Sequence, residues 1–70
     1  MDGKQIRELI MATPFQAFRL FLPNGGKVEI EQADNVALSP SGRTLFIVTD
    51  EGTTRIDTAL IVRVDVRQTV

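Results

Sequence analysis

The sequence predicts a mainly β domain of the α+β class, one N-terminal helix followed by a five- or six-stranded, strongly bent antiparallel meander. Three observations carry that expectation. Apolar residues recur at every second position through Phe18, Leu20 and Leu22, and again through Val28 and Ile30, which is the period of a strand with one buried face. Pro23-Asn24-Gly25-Gly26 divides the two runs, and Asn and Gly accept the positive φ that hairpin turns need. Beyond this hairpin, short β-rich runs alternate with turns of two to four residues, too short for a parallel crossover. Residues 1–70 are read as a single domain, with helix over 2–12 and the meander over 16–67.

Each element has its own signal. Asp2 is an N-cap candidate with Gln5 three residues on. Ile6, Leu9, Ile10 and Thr13 form one helical stripe, and Pro14 stops the helix. So short a helix does not persist alone in water, so the stripe must dock on the sheet. The segment 32–35 is a polar turn and Val36–Ser39 a short strand; Pro40-Ser41-Gly42-Arg43 has Pro and Gly where a β-turn wants them. Residues 43–49 are rich in β-branched and aromatic side chains. The unbroken block Leu45-Phe46-Ile47-Val48 predicts cover on both faces. Asp50-Glu51-Gly52 turns the chain into Thr53–Asp57, and Thr58-Ala59 is a link. The last strand is read as 60–66, with Leu60, Val62, Val64 and Val66 on one face and Ile61, Arg63 and Asp65 on the other.

Composition narrows the chemistry. With 70 residues the core is small, and domains of this size often gain stability from a disulfide, a metal or a partner subunit. The chain has no Cys and no His, so no disulfide, no thiolate metal site and no imidazole base is available. Self-association is the expected source of added stability. Lys and Arg number 8 against 9 Asp and Glu, a net charge of −1, without the basic excess of a non-specific nucleic-acid binder. No apolar run approaches a membrane span, and Asp2, Lys4, Arg7 and Glu8 do not fit a signal peptide. A cytoplasmic protein without cofactor or membrane is expected.

Candidate sites are sparse. Asp34, Asp50, Glu51 and Asp57 are carboxylates near turns, where Asp commonly bonds the backbone instead of doing acid–base work. Asp57, at a strand end, is read as bonded to backbone N–H groups. Ser39, Ser41 and the Thr hydroxyls lack a base to activate them. Asn24-Gly25-Gly26-Lys27 leads into a strand, unlike a phosphate loop, which leads into a helix. Phe21, Phe46 and Ile61 point away from the main alternation and are the candidate interface. Arg19, Arg55 and Arg63 interleave with apolar positions and are the candidate anion or nucleic-acid patch, unless they pair across strands with Glu29, Glu31 or Asp65.

Two resemblances add to this. The helix followed by Phe18-Arg19-Leu20-Phe21-Leu22-Pro23-Asn24-Gly25-Gly26 resembles the first motif of the Sm-like fold, found in Sm proteins and the bacterial RNA chaperone Hfq. The resemblance implies a small barrel of Sm-like or SH3-like type. Where Hfq has a Tyr-Lys-His run for RNA, this chain has Arg55-Ile56-Asp57, so RNA binding does not carry over. The outline of helix, Pro14-Phe15 with Phe18, Asn24-Gly25 hairpin, Gly42-Arg43 turn, Ile56-Asp57 and Ile61 is similar to a group of short bacterial proteins without an assigned activity. The expected function is a small non-catalytic protein-interaction module, self-associating as a homo-oligomer. The rival is an Sm-like nucleic-acid-binding protein using the sheet face and Arg19, Arg55 and Arg63.

Overall fold

The computed structural model describes residues 1–67; the last three positions of the one-domain reading lie outside the described residues. Among the described residues the elements run α1 (Gly3–Met11), β1 (Phe18–Phe21), β2 (Lys27–Ile30), a 3₁₀ turn (Ala33–Asn35), β3 (Val36–Leu38), β4 (Thr44–Thr49), β5 (Gly52–Asp57), a second 3₁₀ turn (Thr58–Leu60) and β6 (Arg63–Val66). The strands form two three-stranded sheets, β2-β1-β6 and β3-β4-β5, with every pairing antiparallel.

The α+β class and the six short strands agree with expectation; the continuous meander does not. β2 does not pair with β3, because the polar segment after Ile30 curls into a 3₁₀ turn closed by Asn35 N–H on the Gln32 carbonyl at 3.1 Å. The chain leaves the first sheet there and enters the second. β6 then returns beside β1, with Phe18 opposite Val66 and Phe21 opposite Arg63.

The inner faces share one core: Ile6, Phe18, Leu20, Ile30, Val36, Leu45, Ile47, Ile56 and Ile61. Ile6 comes from the helix, whose Leu9 and Ile10 pack at the core margin. Asp2 caps that helix by accepting from the Gln5 N–H at 3.0 Å. β4 is covered on one face, not two: Leu45 and Ile47 are buried, whereas Val48 is 50% exposed. The last strand is also shorter than expected. The 3₁₀ turn advances the chain by three residues per revolution and so breaks the two-residue alternation. Ile61 therefore faces the core, at 2% exposure, while Leu60 and Val62 are turned outward.

Two turns share one design. Leu22 accepts from the Gly25 N–H at 3.0 Å, and Ser39 accepts from the Gly42 N–H at 2.9 Å. Pro23 and Pro40 sit at the position where a fixed φ suits the turn, and Gly25 (φ +84°) and Gly42 (φ +77°) take the left-handed step that closes it. The second turn is built into the domain. Gly3 crosses it so closely that a Cβ there would lie 2.2 Å from the Gly42 oxygen. Buried Thr58 donates its hydroxyl to the Gly42 carbonyl at 2.9 Å and its N–H to the Arg43 carbonyl at 2.9 Å. Helix start, turn and second 3₁₀ segment thus form one joint. No helix among the described residues is long and apolar enough to cross a membrane.

Candidate functional site

The sequence-predicted arginines do not gather into one patch. Arg19 sits in a cross-strand row between Glu29 and Asp65 on the outer face of the first sheet. Its Nε donates to Glu29 Oε1. Arg63 bonds Asp65 at 3.3 Å, and Arg67 makes two bonds of 3.2 Å to Glu31. Those bonds and the Glu31 charge raise the Arg67 guanidinium above its ordinary value, so it stays cationic. These pairs are exposed and each adds little stability. Their effect is to cancel charge across that end of the face. Arg55 stands apart, on the second sheet, in a row with Phe46 and Ala37. It has no ion pair among the described residues.

The three candidate interface residues are separated too. Phe21 lies on the first sheet between Lys27 and Arg63, with the Arg63 guanidinium carbon 4.0 Å from its ring centre, a cation–π contact. Phe46 is half-buried on the outer face of the second sheet. Ile61 belongs to the core and presents nothing to a partner, because the 3₁₀ turn rotates it inward.

The structure instead builds an apolar notch that the sequence reading missed. It lies between the β1–β2 turn and the end of β5, walled by Leu22, Pro23, Ile56 and Leu60, with Arg55 and Asp57 on its rim. Its volume is about 390 Å³, within the range of small ligand sites. A second hollow continues it around Pro23 to Phe21, Val62 and Arg63. Leu60 and Val62 are 52% and 62% exposed there. Asp57 accepts from the Ala59 N–H at 2.9 Å, in line with its reading as a backbone-bonded carboxylate; what that reading missed is that this cap starts a 3₁₀ turn, which sends both aliphatic side chains outward.

Among the described residues no three His, Cys, Asp or Glu side chains approach one another as a metal site would require. Ser39 and Ser41 hydroxyls bond each other at 3.1 Å and cap the backbone of their own turn, Ser39 Oγ accepting from the Thr44 N–H and Ser41 Oγ from the Arg43 N–H. No family model, curated protein or solved structure matches the chain.

Proposed function

We propose that this chain is a small, non-catalytic protein-interaction module that self-associates. The observation that carries the reading is the apolar notch with Leu60 and Val62 open to water beside Phe21, Leu22 and Pro23. Contiguous apolar surface of this kind on a small domain marks a contact site. The absence of His and Cys from the sequence, which leaves the Ser and Thr hydroxyls without an imidazole or thiol partner, supports a role without catalysis. The path from β2 through the 3₁₀ turn into β3, over one shared core, supports reading the two sheets as halves of a small barrel of Sm-like or SH3-like type. With its outline close to the short bacterial proteins named above, we place it in the bacterial cytoplasm.

Light scattering tests the reading. The mass should rise above the single-chain 7.8 kDa. That rise should come between about 10 µM and about 1 mM, the range of weak interfaces. The double variant Leu60→Ser, Val62→Ser should stay monomeric without losing its fold. A single-chain mass throughout would sink the proposal. Binding of mixed RNA or DNA oligomers that weakens as salt rises would replace it with the nucleic-acid reading.

A further inference from the structure

We infer that the open edge of β5 is where two copies of this chain join, each β5 lying antiparallel to the other around Ile56. The inference rests on the self-association reading and names the surface that carries it.

Among the described residues each three-stranded sheet leaves two edges, and the four edges differ. β2 and β6 are four residues long, and Glu29, Arg63 and Asp65 on them are paired within the chain. β3 has three residues, and the helix packs against it. β5 is six residues long, carries β-branched Thr53, Thr54 and Ile56, and has β4 on one side only. A long edge strand of this composition is a template for another strand. The ladder shows which groups it offers. The Thr58 N–H donates to the Arg43 carbonyl at 2.9 Å, and bonded rows alternate along an antiparallel pair. Ile56, Thr54 and Gly52 therefore bond toward β4. Thr53 and Arg55 turn their N–H and C=O to the open side, and Asp57 turns its N–H there, its carbonyl serving the 3₁₀ turn.

The charges on this edge select the occupant and the register. Arg55 and Asp57 lie on one face of β5, are exposed and make no ion pair among the described residues. Antiparallel pairing around Ile56 sets Arg55 of each copy opposite Asp57 of the other, giving two opposite-charge pairs. The outward Asp57 N–H then meets the outward Arg55 carbonyl across the join, once in each direction. On the other face Ile56 meets its own copy, next to the apolar notch that Ile56 and Leu60 line. The neighbouring registers lack this match. Pairing around Arg55 sets cation on cation, and pairing around Thr54 sets Asp57 against Glu51. Pairing around Thr53 would match Arg55 with Glu51, which belongs to the hairpin turn and not to the strand. A contact that uses the same surface on both copies closes as a two-fold dimer.

Light scattering, amide hydrogen exchange and a charge exchange test the join. The mass should level at twice the single-chain 7.8 kDa. As concentration rises the Asp57 amide should gain protection, whereas the Thr53 amide, outside the join, should not. Arg55→Asp and Asp57→Arg should each weaken association at least about tenfold, because each sets like charges opposite. Mixing the two variants should restore it, since one chain then brings two carboxylates and the other two cations. Asp57 also caps the 3₁₀ turn, so Arg55→Pro is a second probe that spares the cap. It removes an outward N–H and the cation, so circular dichroism should hold while the dimer is lost. Association that leaves the Asp57 amide unprotected, grows past a dimer or fails to recover in a mixture of folded variants would overturn this join while leaving self-association standing. A monomeric wild-type chain would overturn both. Protection of Asp57 that appears only when an oligonucleotide is added would overturn a second copy as the occupant.

Discussion

The turns at Leu22–Gly26 and Ser39–Thr44 have the same local grammar and opposite fates. Both set Pro two places before the glycine that closes the bend, and in both that glycine has a positive φ. A Cβ on Gly25 would meet nothing within 4 Å, whereas one on Gly42 would lie 3.3 Å from the Gly3 Cα. Local sequence specifies the bend; what lands on it decides its use. The second bend receives the helix start and the Thr58 hydroxyl and becomes part of the frame. The first is left bare, so its Leu22 and Pro23 are free to line the notch.

Substitutions at these glycines break or sharpen the contrast, and thermal unfolding measures each. Gly3→Ala should have the largest effect. Alanine in the first turn of a free helix would stabilise by up to about 1 kcal/mol. Here the added carbon meets backbone at 2.2 Å, an overpacking that should destabilise by about 3 kcal/mol, or more than about 10 °C for a chain of this size. A rise in Tm would show that the helix start does not rest on the turn. Gly42→Ala should follow at about 2 kcal/mol, combining left-handed strain with its tight approach to Gly3. Thr58→Val should lose about 1.5 kcal/mol, because the Gly42 carbonyl keeps its burial and loses its hydroxyl donor.

Gly25→Ala should be milder, about 1 kcal/mol, since only backbone strain opposes it. Gly25→Asn should fall near zero, because Asn enters the left-handed region readily. Equal losses at Gly25 and Gly42 would mean that the helix contributes nothing to the second turn.

The hairpin at 22–26, the inward set Phe18, Leu20 and Ile30, and the helix cap at Asp2 were legible in the sequence, because each is decided within a few residues by period, turn chemistry or capping. The division into two sheets was not. It depends on Glu31–Asn35 curling rather than extending, and polar residues there are compatible with both. The notch was hidden for a related reason. Read by period two, Leu60 and Val62 belong inside and Ile61 outside; a three-residue 3₁₀ turn reverses that assignment. The arginines were legible as exposed, and Glu29, Glu31 and Asp65 as the acidic groups that could pair with them; only the Arg67–Glu31 pair waits on the return of β6 beside β1, which no local pattern encodes.

That register has a kinetic consequence. β1 is the central strand of its sheet, yet one of its two partners is encoded 42 to 48 residues later, so closing the sheet demands a long, entropically costly loop. The β1–β2 hairpin alone is marginal in water. During synthesis β1 must wait with one edge bare until β6 emerges, a window in which it can pair with the wrong chain. Slow, high-contact-order folding with early aggregation risk is the expected signature of this topology.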